Sequence, residues 1–482
     1  MLLIHVGFCV SSPEKKTTIL ILLNWNCFIF IESGIKYHRK IIMKNTRRTF
    51  IKSAALGTAG TFAIPHLIPS YLLGSTAPAN RINVAVIGIG RQTVSPNIPQ
   101  FLKSEHSQIV AVCDVDSWRL NNGQKQVNDY YSVQKGSTYR GCDAYGDYRE
   151  VLLRKDVDAV MIATPDHWHI PMAIEAARAG KHISLEKPIS TCIGHGRKLV
   201  EAIKKYNVIT RNDSEFRPLP AFSRAVEIVR NGRIGRIERI FVAVPAELSG
   251  SALSPEPTMP VPPELNYDMW LGPAWEAPYT EKRVHAIKAY GRPGWMRVDS
   301  YCNGMISNWG AHLMGIVQWG NNTEYTGPVS IEGGGEFDRG LWNTLNSFDI
   351  KYRFTNGVEV FFKIERPYVR FEGTAGWVEV EYPDKITASS KSLLDTPAGS
   401  GEISFKDLLS DKEDFLTAIK NGKQTEEPLE TAHRTISMCQ LGLIAIKTGS
   451  KLTWNPDTEE IVGDNAASAM IDIPIRQKYF KW

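Results

Sequence analysis

A short apolar stretch that ends in a glycine turn constrains the fold of this chain more than any other feature. Residues Ile82–Ile87 run apolar, as a buried parallel strand does, and Gly88-Ile89-Gly90-Arg91-Gln92-Thr93 follows at once. In a dinucleotide site the first glycine makes the tight turn and the second lets the backbone approach the pyrophosphate. Gly88 and Gly90 occupy those places, but Thr93 stands where a third glycine or alanine usually lets helix and strand pack closely. The motif predicts a dinucleotide site with one departure.

A second predicted strand, Gln108–Val115, carries Asp114 near its carboxyl end. An acid in this place accepts hydrogen bonds from the ribose hydroxyls of the adenosine, which favours NAD over NADP. Arg119 follows closely enough to leave NADP open. The alternative for Asp114 is a cap on the following helix, because Asp is a preferred capping residue.

The alternation of helices and strands continues, which predicts a parallel, doubly wound sheet. The predicted elements are helix Tyr148–Arg154, strand Asp158–Ala163, helix Pro171–Ala179 and strand Lys181–Leu185. Because ligands collect at the carboxyl ends of such strands, Thr164–His169 and Glu186-Lys187-Pro188 are expected at a binding site. A lysine there can stabilise developing alkoxide charge. For His167 and His169, helix capping or packing is the alternative to ligand contact.

The first eighty residues are interpreted as a targeting segment that is not part of the fold. Thr46–Lys52 contains the Arg47-Arg48 pair of a twin-arginine export signal, a mildly apolar segment follows over 53–69, and Ala77-Pro78-Ala79 offers a cleavage site. We therefore expect a signal peptide over 43–79 and a periplasmic protein; a basic amphipathic helix is the alternative. Met43 is the expected start, so 1–42 is an upstream extension outside the fold. The apolar run 19–31 is shorter than the about 20 residues that span a bilayer.

Composition excludes several classes of protein. A chain of 482 residues predicts two domains, and a net charge of +5, scattered rather than clustered, argues against a nucleic-acid partner. The cysteines of the body of the chain lie singly, with no CxxC pair, and are expected as buried thiols. The spacing of the histidines fits none of the usual zinc patterns, so no metal is expected.

Three motifs together resemble the Gfo/Idh/MocA oxidoreductase family: Glu186-Lys187-Pro188, Ala163–His169 and Asn308-Trp309-Gly310-Ala311-His312. The resemblance extends from about Arg81 to the C-terminus and favours the exported, sugar-directed branch, to whose final segment 432–456 is similar. It implies a Rossmann domain over 80–215, and over 216–482 an α+β domain with a large, mostly antiparallel sheet whose open face often joins subunits into a homo-oligomer. A carbohydrate is the implied substrate.

Local patterns agree with that second domain. Asn356-Gly357 reads as a hairpin turn. The predicted strands are Arg236–Val244, Ser347–Phe354, Val358–Ile364 and Trp377–Tyr382, and the predicted helices are Lys412–Lys420 and Thr431–Lys447.

The resemblance also implies a catalytic pair. Lys187 polarises the substrate oxygen and His312 removes the hydroxyl proton, while Asn308, four residues earlier on the same helix face, orients the substrate. The family's dehydrogenases more often carry Asp at the position of Asn308, and its loss makes His312 a poorer base unless another carboxylate compensates. A buried structural histidine is the alternative for His312.

Further binding residues are expected around that pair. The cofactor residues are Gly88, Gly90, Arg91, Asp114, Thr164, Pro165, His169, Glu186 and Lys187. The substrate residues are Arg217, Tyr290, Arg297 and Trp309, with Trp295 in the same loop; packing is the alternative for these.

Three functions remain open. The first is a nicotinamide-dependent oxidoreductase acting on a sugar or polyol, including one that couples two sugars. The second is a redox-neutral glycosidase or lyase that works through a transient keto-sugar and returns the hydride. The third is an inactive carbohydrate-binding protein. Asn308 favours the second and third, whereas Lys187 and His312 argue against the third. Export favours a cofactor that is reduced and reoxidised without leaving its site.

Overall fold

The computed structural model describes two short strands near the N-terminus and then residues 80–247 and 256–482. The chain divides into two units, Met1–Pro69 and Ser70–Trp482. In the first unit, β1 (Thr18–Leu22) pairs with β2 (Phe28–Glu32) in an antiparallel hairpin. The predicted export signal, cleavage site and start all lie outside the described residues. Within the described part, no helix has the length and apolarity to cross a membrane.

The second unit begins with a parallel sheet of six strands in the order β5-β4-β3-β6-β7-β8. The order reverses between β3 and β6, and such a reversal opens a crevice at the carboxyl ends of the strands. This confirms the predicted Rossmann-type sheet. Its strands are β3 Ile82–Ile87, β4 Ser107–Cys113, β5 Asp143–Tyr145, β6 Ala159–Ile162, β7 His182–Glu186 and β8 Thr210–Asp213.

Helices connect these strands. After a π-helical turn at Thr93–Asn97 come α1 Ile98–Lys103, α2 Ser117–Lys135, α3 Tyr148–Leu152, α4 Asp166–Arg178 and α5 Ile193–Tyr206. The predicted start of α4 at Pro171 is wrong, because the helix begins earlier, at Asp166, and contains the proline. Backbone bonds from His167 N to Tyr301 O and from Trp168 N to Pro165 O hold that first turn.

The second sheet has nine strands in the order β15-β14-β13-β9-β12-β11-β10-β16-β17. Only the β9–β12 pair is parallel among these described strands, so the predicted mostly antiparallel sheet is confirmed. The strands are β9 Ile237–Val244, β10 Ser330–Phe337, β11 Leu345–Arg353, β12 Glu359–Ile364, β13 Tyr368–Gly373, β14 Gly376–Glu381, β15 Lys385–Ala388, β16 Leu452–Asn455 and β17 Glu460–Ile461.

Helices surround this sheet. They are α6 Pro220–Arg230, α7 Tyr267–Leu271, a 3₁₀ turn at Gly294–Arg297, α8 Met305–Asn308, α9 Gly310–Asn321, α10 Lys391–Asp395, α11 Asp411–Asn421, α12 Leu429–Thr448 and α13 Asn465–Ser468. Helix α9 approaches the sheet closely. A Cβ added at Gly320 would lie 2.4 Å from the ring of Phe371, and one at Gly310 would lie 3.4 Å from Phe362. Glycine on this helix therefore permits the close packing that fixes its position.

The other face of the sheet is partly exposed and carries aromatic and charged side chains. Phe241 stacks on Phe361 at 5.2 Å between ring centroids, and the guanidinium of Arg370 lies 3.9 Å from the ring centroid of Trp377. This is the face on which the sequence predicts contact between subunits, and that contact stays a prediction.

A buried ionic cluster joins the last strand of the first sheet to the C-terminal helices. The guanidinium of Arg211, at β8, lies 2.6 Å from Asp411, 3.0 Å from Asp414 and 3.2 Å from Glu427. Burial alone would raise the pKa of Glu427, but Arg217 and Arg211 lower it. The cluster fixes the loop that leaves β8, because Glu427 also accepts a hydrogen bond from the Ser214 hydroxyl.

Substituting Glu427→Gln should lower the free energy of unfolding by about 3–5 kcal/mol, because two arginines would lose a buried countercharge. Denaturant unfolding of the purified protein measures this change. The control is Glu105→Gln, an exposed carboxylate whose loss should cost no more than about 0.5 kcal/mol. Equal stability of both variants would contradict a structural role for the cluster.

Candidate functional site

A cavity of about 600 Å³ lies at the carboxyl ends of β3, β4, β6 and β7. Residues from the part of the chain that contains the second sheet line its other side. The strand ends contribute Gly88, Gly90, Arg91, Asp114, Thr164, Pro165, His169, Glu186 and Lys187 to its lining. The other side contributes Phe216, Trp295, Asn308, Trp309, His312 and Tyr382. The structure thus brings all the predicted cofactor residues to one cavity with the predicted catalytic residues.

The two glycines of the turn have different surroundings. Gly88 has φ +89°, and a Cβ there would lie 2.6 Å from the carbonyl oxygen of Ala163. Gly90 has no atom near its Cβ position within 4 Å, so its backbone faces open space. Thr93, in the place of the third glycine, is buried and donates from its hydroxyl to Gly88 O at 2.6 Å. The threonine therefore ties the turn to the following helix instead of disrupting it.

Asp114 supports the same turn from the neighbouring strand. Its Oδ2 accepts from Ile89 N at 2.6 Å and its Oδ1 accepts from Asp116 N at 2.8 Å. Burial raises the pKa of Asp114. Each carboxylate oxygen keeps a further acceptor site, which suits a ribose hydroxyl. The helix cap considered for Asp114 is supplied by Asp116, which accepts from Trp118 N and Arg119 N.

The Glu186-Lys187 pair connects three parts of the site. Glu186 Oε1 accepts from the amide of Asn97 at 2.8 Å, and Lys187 Nζ donates to the backbone carbonyl of Asn308 at 3.1 Å. Burial lowers the pKa of Lys187, while the carboxyl groups of Glu186 and Asp166 act to raise it. The ammonium group is thereby held at the boundary between the two halves of the cavity.

His169 joins two strand ends. Its ring nitrogens lie 2.8 Å from Pro188 O and 2.8 Å from Thr164 O. Burial lowers the pKa of His169 to about 4, and a neutral ring can donate to only one of these two carbonyls. These two contacts explain the position of His169 without a ligand, and the residue also lines the cavity. The buried hydroxyl of Thr164 has no partner among the described residues and is free to meet a ligand.

His312 is arranged as a base. A carbonyl oxygen can only accept, so the bond between His312 Nδ1 and Ser214 O places a proton on Nδ1 and the lone pair on Nε2. Phe216 stacks on the ring at 4.3 Å. Burial, and then the charge of Lys187, holds the pKa of His312 well below its usual value. The lone pair on Nε2 is therefore available to a substrate hydroxyl, and the lowered pKa makes the ring a weaker base than a free imidazole.

Asn308 and His312 both line the cavity, but the predicted single helix is broken between them. Helix α8 ends at Asn308 and α9 begins at Gly310, with Trp309 keeping right-handed helical angles between them. The chain keeps helical hydrogen bonds across the break, because Trp309 N donates to Met305 O at 3.2 Å and Leu313 N donates to Trp309 O at 3.2 Å. The contact with Lys187 comes from the carbonyl of Asn308, which the sequence does not predict.

Three of the predicted substrate residues lie outside the cavity lining, because each is engaged elsewhere. Arg217 is buried, pairs with Glu324 at 2.7 Å and covers the ring of Trp319. Tyr290 packs on Trp118 at 5.1 Å. Arg297 pairs with Glu247 at 3.2 Å and covers the ring of Trp342. Trp309 and Trp295 do line the cavity.

Several lining residues were missed because they follow elements whose relative positions the sequence does not reveal. Phe216 stacks on Tyr382 at 5.2 Å, and Trp309 meets the same tyrosine edge-on at 5.3 Å. These three rings form an aromatic wall. Two carboxyl groups also line the cavity: Asp166, within the predicted segment Thr164–His169, whose pKa burial raises to about 8, and Glu215, which was missed and whose pKa burial raises to about 7. Both interact with the charge of Lys187.

A separate group of possible metal ligands, Cys192, His195 and Asp472, lies outside the cavity. His195 Nε2 is 3.1 Å from one oxygen of Asp472, and Lys198 Nζ is 2.7 Å from the other. The lysine already supplies a cation to the carboxylate, and burial raises the pKa of the Cys192 thiol to about 11. An ion-paired cluster accounts for this geometry.

Comparisons with known proteins agree with the fold and the glycine turn. Residues 82–214 match the model of an oxidoreductase family's NAD-binding Rossmann fold, and residues 250–481 match that family's C-terminal alpha/beta domain. Together the two matches define the protein as an oxidoreductase with an NAD-binding Rossmann domain. The chain belongs to the Gfo/Idh/MocA family.

Curated relatives match over a limited region. A glycosyl hydrolase family 109 protein 2 from Shewanella sp. (strain ANA-3) is 33% identical over 155 residues, which is 32% of this chain and 33% of the relative. A glycosyl hydrolase family 109 protein from Saccharopolyspora erythraea is 31% identical over 174 residues, 33% of this chain and 37% of the relative. The match therefore spans about a third of the length of these relatives.

Solved structures share the fold over most of the chain. An aldose-aldose oxidoreductase from Caulobacter crescentus, complexed with glycerol, has a TM-score of 0.56 and 17% identity over 77% of this chain and 99% of its own. A myo-inositol 2-dehydrogenase from Lactobacillus plantarum has a TM-score of 0.54 and 18% identity over 77% of this chain and 99% of its own. At these identities the likeness concerns the fold alone.

The two turn glycines should respond differently to alanine. Gly88→Ala should lower the free energy of unfolding by about 1–3 kcal/mol, because it forces a side chain into a left-handed conformation against Ala163. Gly90→Ala should fold normally but bind NAD at least about tenfold more weakly, since its methyl group would fill the space where the pyrophosphate approaches. Thermal unfolding and calorimetric titration with NAD measure both. Full NAD affinity in Gly90→Ala would exclude this turn as the phosphate site.

Proposed function

We propose that this protein oxidises a hydroxyl group of a sugar, polyol or glycoside with a nicotinamide cofactor that stays bound between turnovers. The observation that carries the proposal is the convergence of Lys187 and His312 on the cavity that also contains the Gly88–Gly90 turn. A cavity of about 600 Å³ is in the range that accommodates small-molecule ligands.

The residues present fit a dinucleotide. Gly90 leaves room for a phosphate group, Asp114 offers carboxylate acceptors, and Thr164 offers an unpaired hydroxyl. When bound, the nicotinamide supplies a hydride acceptor next to the substrate. We infer NAD rather than NADP. Arg119, the candidate for a 2′-phosphate, already donates to the carbonyls of Ala286 and Ala289.

The chain's own groups supply the proton chemistry. His312 accepts the hydroxyl proton at Nε2, because Ser214 fixes the proton of the ring on Nδ1. Lys187 holds its ammonium near the reacting oxygen and stabilises the negative charge that develops there. Asn308 positions Lys187 through its backbone carbonyl and offers its amide to the substrate.

A carbohydrate is the substrate class that the lining favours. The rings of Phe216, Trp309 and Tyr382 offer flat apolar faces on one side of the cavity. Lys187, Asn308 and His312 line the same cavity and can bind hydroxyls. Sugars present the same division, with apolar C–H faces and polar edges.

A redox-neutral glycosidase is the second candidate. In this reaction the hydroxyl is oxidised to a ketone, the next carbon loses a proton, and the leaving group on the carbon after it is eliminated. Water then adds and the hydride returns to the substrate. The names of the curated relatives favour this alternative, as does Asn308, whose amide cannot take up a proton as a carboxylate does. An inactive binding protein is disfavoured by the base-like arrangement of His312.

We further propose export by the twin-arginine route, on the motif at Arg47-Arg48. That route carries folded proteins, so the cofactor can be loaded before transport. A periplasmic enzyme that released reduced cofactor at each turnover would have no evident pool to replace it. A retained cofactor removes this difficulty for both candidate reactions.

Lys187→Ala and His312→Gln should each lower turnover by about 100-fold or more, because proton removal and oxygen stabilisation both act in the transition state. The measurement is absorbance of reduced nicotinamide after addition of a panel of sugars, polyols and p-nitrophenyl glycosides, with product analysis. NAD affinity of the variants, measured by calorimetry, serves as the control for an intact site.

Asn308→Asp is the companion variant. Faster net oxidation of a free sugar would mean that the native asparagine restrains dehydrogenase chemistry.

Wild-type rates in Lys187→Ala or His312→Gln would overturn the roles proposed for Lys187 and His312.

A further inference from the structure

Glu215 occupies an unusual place in the loop after β8. It lies between Ser214, whose carbonyl accepts the bond from His312, and Phe216, whose ring stacks on the same histidine. Its φ of +63° is rare for a residue with a side chain and is strained. Such strain persists where surrounding contacts impose it and where the conformation serves a function.

Surrounding contacts do impose it. The backbone N–H of Glu215 donates to Asp411 Oδ2 at 2.7 Å, and Asp411 is held by Arg211 in the buried ionic cluster. The side chain lines the cavity, and its Oε1 accepts from the amide of Gln92, within the glycine-turn segment, at 2.8 Å. The carboxyl group is therefore placed in the cavity from two independent directions.

The site needs an acid–base group besides His312. Once His312 has taken a proton, it lies near the cationic Lys187, and Asn308 supplies no negative charge. Glu186 is engaged with Asn97. Glu215, in contrast, is adjacent in sequence to both residues that hold His312, and it interacts with Lys187.

We propose that Glu215 is a catalytic acid–base residue that exchanges a proton with the substrate carbon next to the oxidised one. This inference rests on the proposed function and favours its elimination form. The Glu215 carboxylate removes the C–H proton, and the electron pair forms an enolate whose oxygen faces Lys187. The enolate expels the leaving alkoxide from the neighbouring carbon, and the alkoxide takes the proton from Glu215. The carboxylate is thereby regenerated.

The protonation state of Glu215 suits both halves of that exchange. Burial, and then the charge of Glu186, raises the pKa of Glu215 to about 7, so acid and base forms coexist near neutral pH. The charged groups that act on Glu215 are Glu186, Lys187, Asp411 and Lys412.

The test compares wild-type holoenzyme with Glu215→Gln, which keeps the shape and the acceptor for Gln92. Both are incubated in D₂O with p-nitrophenyl glycosides. We expect Glu215→Gln to reduce bound nicotinamide but to lose deuterium incorporation beside the oxidised carbon, and p-nitrophenol release, by about 100-fold or more. The wild-type rate of release should rise with pH through about 7, and this limb should be absent from the variant. Glu105→Gln is the surface control.

The melting temperature provides a readout independent of turnover. The pKa of Glu215 is higher in the folded protein than in the unfolded chain. The stability of the fold should therefore fall as the pH rises from the pKa of the unfolded chain towards about 7. Glu215→Gln should therefore melt higher than wild type at pH 8 and at the same temperature near pH 4. A structural carboxylate would give the opposite result at pH 8.

Each outcome has a definite meaning. Normal deuterium incorporation in Glu215→Gln, with normal nicotinamide reduction, would overturn the role of Glu215 and leave the proposed function standing. Reduction without incorporation in wild type would also overturn it and favour a plain dehydrogenase. If wild type reduces no nicotinamide with any probe, the proposed function fails and this inference fails with it.

Discussion

The hydrogen bond from His312 Nδ1 to the carbonyl of Ser214 is the interaction on which the chemistry of this protein depends. It fixes the tautomer of the histidine and so decides that the lone pair is on Nε2. The bond joins α9, which packs against the second sheet, to the loop that leaves the last strand of the first. The site therefore forms only when the part of the protein that contains the first sheet packs correctly against the part that contains the second.

That loop is held by charge. Arg211 and Glu427 lie buried beneath it, and Ser214 and Glu215 are bonded to the cluster they form. A buried ionic cluster is a poor source of net stability, because desolvation offsets much of the attraction. It does impose a specific geometry, since each charge must find its partner. Here the geometry includes a strained Glu215 and a fixed carbonyl for His312.

Sequence reasoning recovered what depends on local pattern. The strand at Ile82–Ile87 and the glycine turn follow from a short motif with fixed spacing, whereas the pairing of Lys187 with His312 came from the resemblance to a known family. It missed β10, whose Gly333-Gly334-Gly335 core has no side chains to alternate. Glu215 could not be found either, because its importance comes from residues on other elements and from a backbone angle. Arg217, predicted to contact substrate, instead pairs with Glu324, which is far from it in the sequence.

We propose that one tightly bound nicotinamide serves many turnovers in this cavity. The most direct measurement is to dialyse the folded protein exhaustively against buffer without cofactor and then to count the substrate molecules converted per enzyme molecule. We expect many turnovers with no added NAD and a dinucleotide that is released only on denaturation. Activity that disappears on dialysis and returns only with stoichiometric added NAD would contradict it.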